Sequence, residues 1–296
     1  MPDRGSKHEI EKEDIRSASP EEFIAAWERP DVLLPVSTEV SPVSAECRVV
    51  VHSDPKSAGA DRFRLAQFRL RNIQAASRNL ETARKLKSLL ITSPLPEEGK
   101  TTVALNLATL LSEQGWSPVL LLEADVYRPA LVKRLGLKPW PGLAECCRSG
   151  SDPMLAIRRI DPLGFYLLPA GQPEEGGSSV LQSSFTAQLI KSLAACSFSW
   201  ILIDSPPTTP VADILALKAL ADATLLVARA GKTPREAIEE SIGDLGRDHI
   251  LGIMLNGVEG LDRVYSKYYG YGKAQARVKP AKPKTIEGLG LNKHAG

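Results

Sequence analysis

Apolar and polar positions change rhythm repeatedly along this 296-residue chain, and each change predicts an element. Between Asp61 and Leu86, Phe63, Leu65, Phe68, Leu70 and Ile73 recur among many arginines, which predicts a helix. Short, wholly apolar runs then alternate with amphipathic ones. Ser88–Thr92, Val119–Leu122, Phe165–Leu168, Trp200–Ile203, Ala223–Ala228 and Ile250–Leu255 read as strands. Thr101–Gln114, Leu131–Leu135, Gly142–Arg148, Ser178–Ala195 and Asp213–Leu220 read as helices. Thr233-Pro-Arg-Glu236 has the form of a capping box and predicts a further helix to about Leu245. Strands that are apolar throughout are covered on both faces, so the alternation predicts an α/β fold, a mostly parallel sheet with helices on both faces.

Residues 1–60 show no sustained period and read as a flexible N-terminal arm, apart from a short helix at Pro20–Glu28 where Phe23, Ile24 and Trp27 share a face. After Leu261 the chain turns to Tyr, Gly, Lys and Pro. The predicted organisation is therefore an arm over 1–60, a domain over 61–262 and a disordered tail over 263–296.

A hydrophobic share of 43% supports a sizeable core, and a formal net charge of +2 gives no reason to expect a nucleic-acid partner. Cys47, Cys146, Cys147 and Cys196 form no Cys-x-x-Cys pair and read as reduced, buried thiols. The first residues lack the apolar core of a signal peptide, and no run approaches the ~18 apolar residues of a membrane helix. A cytoplasmic protein is expected.

The chemistry concentrates at strand ends. Ser93-Pro-Leu-Pro-Glu-Glu-Gly-Lys-Thr-Thr102 lies between a predicted strand and a predicted helix, the context of a phosphate-binding loop. Pro96, Glu97, Glu98, Gly99, Lys100, Thr101 and Thr102 would surround the phosphates of ATP, with backbone N–H groups at the helix N-terminus facing them. Lys100 would neutralise the β- and γ-phosphates, and the Thr101 hydroxyl would ligate Mg²⁺. Glu123 and Asp125 close one strand and Asp204 closes another. Acids there suit Mg²⁺ coordination by Asp204 and Asp125, and Glu123 is a candidate general base.

With these motifs in place, residues 61–272 resemble the cytoplasmic kinase domain of the bacterial tyrosine kinases of capsule and exopolysaccharide synthesis, P-loop proteins of the deviant Walker group. The family's S-x-x-P-G-E-G-K-[ST] is met by Ser93 to Thr101, its D-x-D-x-R by Glu123 to Tyr127, and its D-x-P-P in full by Asp204-Ser-Pro-Pro207. Leu255-Asn-Gly-Val258 is similar to a family loop, which implies that Asn256 meets the adenine. The resemblance implies autophosphorylation on the cluster Tyr265, Tyr268, Tyr269 and Tyr271. It also implies a membrane-embedded activator, a polysaccharide co-polymerase chain that recruits the kinase to the inner face of the membrane. Self-association is expected more weakly, because the assembly motif is degenerate at Asp61-Arg-Phe-Arg64. Three departures stand out: Glu97 replaces a glycine, Glu123 an aspartate and Tyr127 an arginine.

Two other readings remain open. Partition-type ATPases of the same fold carry a second loop lysine where this chain has Leu95. A nucleotide-binding scaffold without turnover would explain the three departures.

Overall fold

A computed structural model describes residues 36–78, 85–113, 118–172, 177–209 and 213–260. The predicted helix at Pro20–Glu28, the four clustered tyrosines and the basic tail lie outside the described residues. In chain order the elements are β1 (Thr38–Val40), α1 (Val50–Ser53), α2 (Ala58–Arg78), β2 (Ser88–Thr92), α3 (Lys100–Ser112), β3 (Val119–Glu123), α4 (Leu131–Arg134) and α5 (Leu143–Ser149). They continue with β4 (Arg158–Asp161), β5 (Phe165–Leu168), α6 (Gly177–Leu181), α7 (Ser184–Ala195), β6 (Trp200–Asp204), α8 (Asp213–Leu220), β7 (Ala223–Arg229), α9 (Arg235–Leu245) and β8 (Ile250–Asn256).

The strands form one sheet in the order β1-β4-β5-β3-β6-β2-β7-β8. Every adjacent pair is parallel except β4 with β5. The central strands β2, β3 and β6 are buried at every position, as continuous apolar runs require. One face of the sheet is covered by α2 and α3, through residues such as Phe63, Leu70, Leu107 and Leu110. The other is covered by α7, α8 and α9, through Leu189, Ile190, Leu217 and Leu245.

Three expectations need correction, and one strand was not expected. Residues 36–60 are not a flexible arm: β1 pairs with β4, and Cys47, Val49 and Val51 are buried in the core. Their apolar positions are too few and too irregular to show a period, yet Cys47 Sγ bonds the Arg134 carbonyl of α4 and the Val51 N–H bonds Asn106 of α3. Next, α3 is buried nearly all round rather than on one face as an amphipathic run implies, because α2 packs over its outer side. The single helix predicted over Ser178–Ala195 is two, broken where the Ser183 hydroxyl accepts from the Thr186 N–H at 3.1 Å and caps α7.

Lastly, β4 carries two arginines and buries only Ile160, so it lacks the apolar signature of the others. It is held by its chemistry instead. Arg158 pairs with Glu39 of β1, and its guanidinium lies 4.6 Å from the Trp140 ring centroid.

Candidate active site

In a parallel sheet the ligand crevice opens at the carboxyl ends of the strands, and the candidate residues gather there. The phosphate loop follows β2. Asp204 ends β6, which lies between β2 and β3, and Glu123 at the end of β3 is its register partner.

The loop is braced at each turn. Gly99 takes φ 94°, and a Cβ there would come within 2.0 Å of the Asn256 side-chain nitrogen, so only glycine fits. Asn256 Nδ2 donates to the Glu98 carbonyl at 2.9 Å. The buried Glu98 carboxylate accepts the Leu95 N–H at 3.0 Å and the Thr233 hydroxyl. Arg229 Nη1 donates to the Glu97 carbonyl at 3.2 Å. Asn256 thus braces the loop itself, whatever it does toward adenine. Thr233 does not cap α9 as its sequence context suggests, because its oxygen bonds Glu98 and accepts the Arg229 N–H at 2.6 Å.

Glu97 is exposed and holds φ 63°, a left-handed conformation that costs a residue with a Cβ roughly 1 kcal/mol. The glycine of the resembling pattern would relieve that strain and remove a negative charge beside the phosphates. Glu97→Gly is therefore expected to raise the unfolding free energy by about 0.5–1 kcal/mol and tighten ATP binding a few-fold, read by denaturant titration and calorimetry.

Lys100 Nζ stands 3.4 Å from Asp125 Oδ2, and both side chains are buried. Asp125 Oδ1 accepts the Arg128 N–H at 3.1 Å. Asp204 is fully buried; burial pushes it up to about 7, against the pull of Lys100 and of a hydrogen bond from Thr101. Its Oδ1 has no hydrogen-bond partner, an orphaned acceptor beside a threonine hydroxyl. Among the described residues there is no group of three or more His, Cys, Asp or Glu placed to hold a metal. Mg²⁺ on a phosphate loop needs no such cage, since it keeps several waters and takes oxygens from the phosphates. The hydroxyl of Thr101, the orphaned oxygen of Asp204 and the carboxylate of Asp125 suit that ion.

Glu123 is not placed to act as a base. Its Oε1 accepts the N–H groups of Ala130 at 2.6 Å and Leu131 at 2.7 Å, and its Oε2 accepts that of Ala170 at 3.1 Å. Burial pushes its carboxyl up, while those three bonds pull it down. The side chain anchors the start of α4 and the loop after β5. Glu123→Ala would strand two buried donors and a half-buried one and is expected to cost about 3 kcal/mol in a denaturation experiment. If Glu123→Gln instead abolished turnover at unchanged stability, the anchoring role would be wrong.

Tyr127 also departs from the expected arginine, and it is tied down. Its hydroxyl bonds the buried Asp213 carboxylate, which also accepts Ser178 Oγ at 2.5 Å and Gln182 Nε2 at 2.6 Å. Burial and that hydrogen bond push Tyr127 up to about 12. Beside it opens a cavity of about 600 Å³, lined by Tyr127, Arg128, Lys133, Trp140 and Gln172 among others, with Glu123 in its wall.

No protein-family model matches the chain. Across 224 residues it is 30% identical to the tyrosine-protein kinase YwqD of Bacillus subtilis, a match spanning 75% of this chain and 91% of that one. The chain belongs to the bacterial tyrosine-protein kinase family. The kinase chain is also 28% identical over 250 residues to the succinoglycan biosynthesis transport protein ExoP of Rhizobium meliloti, covering 78% of itself but only 30% of that longer protein. Among solved structures, the kinase domain of Escherichia coli tyrosine kinase ETK superposes with a TM-score of 0.64 at 25% identity, over 71% of this chain and 80% of that domain. Among the described residues, no helix of this kinase is long and apolar enough to cross a membrane.

Proposed function

We propose that the chain transfers the γ-phosphoryl group of Mg·ATP to tyrosine hydroxyls, its own Tyr265, Tyr268, Tyr269 and Tyr271 included. The process it serves would be exopolysaccharide or capsule synthesis and export. The observation that carries this reading is the meeting of Lys100, Thr101, Asp125 and the orphaned oxygen of Asp204 at one strand edge, in a chain of the tyrosine kinase family.

Phosphoryl transfer asks for positioning and charge neutralisation more than covalent chemistry. Lys100, held by Asp125, would meet the β- and γ-phosphates. Thr101, Asp125 and Asp204 would hold Mg²⁺, which when bound neutralises charge on the phosphate oxygens. Glu123, committed to backbone donors, would position α4 and the loop after β5 rather than take the proton of an incoming tyrosine. The cavity beside Tyr127 offers that tyrosine a way in, with Arg128 and Lys133 suited to acidic flanking residues. A membrane-embedded activator on another chain, recruiting the kinase to the inner face of the membrane, and self-association belong to the same proposal.

One observation favours a second reading, a scaffold that binds nucleotide without turnover: the carboxylate expected to serve as base is occupied. Phosphopeptide mapping of the chain from its own cells, where any activator is present, separates the two. Phosphate on the 265–271 cluster is expected. Tight nucleotide binding with no phosphotyrosine would favour the scaffold.

A further inference from the structure

The short helix α4 is held at both ends. At its start the N–H groups of Ala130 and Leu131 bond Glu123. At its finish the Arg134 carbonyl accepts Cys47 Sγ at 2.8 Å, and the Leu135 carbonyl accepts Ser41 Oγ at 2.8 Å. Four residues with no N-cap side chain would not hold a helix by themselves. What these ties fix is the last residue of the helix, Arg134. Its side chain crosses to α3, where Nη1 donates to Thr102 Oγ1 at 3.0 Å.

Thr102 follows the two residues that take the terminal phosphates and Mg²⁺. In a phosphate loop the lysine reaches the β- and γ-phosphates, the next hydroxyl goes to the metal, and the amides of the loop and helix start cradle the α- and β-phosphates. On that arrangement the hydroxyl of Thr102 would reach the inner end of the phosphate chain. A threonine hydroxyl has two acceptor lone pairs and one proton. Arg134 occupies a lone pair, which turns the O–H away from the guanidinium and leaves its proton to be donated. The guanidinium has four further N–H donors and a delocalised positive charge. No local feature of the sequence marks this residue; α4 and α3 are brought together only by the sheet.

The geometry points to Arg134 as a nucleotide-positioning residue that acts through Thr102 on the α-phosphate of a nucleoside di- or triphosphate. It binds ground state and transition state alike, because the α-phosphate does not take part in the transfer. The N-terminal segment, through Ser41 and Cys47, sets where that charge stands.

This rests on the nucleotide reading of the loop, and the test keeps the two apart. Wild type, Arg134→Met and Arg134→Lys would be titrated calorimetrically with Mg·ATP and with ADP, with melting temperatures measured alongside. Arg134→Met is expected to weaken both ligands equally, about tenfold, as loss of a charge-assisted bond does. Its KM for ATP should rise by a similar factor, with kcat within about twofold. Arg134→Lys should recover part of the affinity, and Arg134→Met combined with Thr102→Val should lose less than the product of the single losses. A folded Arg134→Met with wild-type ADP affinity would overturn the proposal, as would a loss confined to ATP or a fall in kcat at unchanged KM. Failure of wild type to bind either nucleotide would instead overturn the reading of the loop. Should Arg134→Met not fold, Arg134→Lys carries the test: unchanged affinity in the double mutant Arg134→Lys, Thr102→Val relative to Thr102→Val is expected, and a further loss counts against action through Thr102.

Discussion

Replacing Lys100 by methionine is expected to reduce tyrosine phosphorylation roughly 10³-fold and to weaken nucleotide binding strongly, since removal of one preorganised donor alone costs 10²–10³ in rate. Methionine keeps much of the aliphatic stem and removes the charge. In the folded chain that charge faces Asp125 at 3.4 Å and lowers the proton affinity of Asp204. Without it, three carboxylates stand at one strand edge with no partner of opposite sign from the loop, and they repel the phosphates as well as one another. The measurement is phosphotyrosine formation with Mg·ATP, beside a nucleotide titration. A variant retaining more than about a tenth of wild-type turnover would remove Lys100 from the phosphate-binding role.

Asp204→Asn should separate stability from function. Wild-type Asp204 has a folded value of about 7 against its ordinary 3.8, so between those pH values the folded state keeps a proton that the unfolded state has lost. Stability is therefore full below that window and falls as pH rises toward 7. Asparagine carries no such charge. In chelator-treated protein the variant should gain on wild type as pH is raised from 5 to 8, by an amount on the order of 3 kcal/mol. Turnover should nonetheless fall roughly 10²-fold or more, because the amide is a poor ligand for a hard cation. Parallel melting curves at several pH values and an activity assay would show it. Equal pH dependence in the two proteins would mean that Asp204 is not a buried, metal-ready acid.

Much of this architecture was legible in the sequence because burial on both faces leaves an unmistakable mark. Ser88–Thr92 and Trp200–Asp204 admit few polar side chains before their ends, and the loop and Asp204 announce themselves where the apolar runs stop. Edge elements hide for the complementary reason. Arg158–Asp161 needs only one buried side chain, and Thr38–Val40 buries none fully, so neither writes a period into the chain. The misread roles share another cause. Glu123 looked like a base because its place beside Asp125 is local information, whereas its partners Ala130, Leu131 and Ala170 meet it only in three dimensions. Thr233 looked like a cap until the fold carried it 135 positions back to Glu98. Tyr127 looked like a missing arginine, and Asp213, which gives it a partner, is 86 residues away.

Asn256, the last residue of β8, closes on the loop across 158 positions of sequence. A ribosome delivers these two partners far apart in time. The loop emerges first, bare of the amide that holds it, and the strand that supplies the amide follows. A nascent chain that had not yet reached residue 256 would carry the phosphate motif without its closing brace.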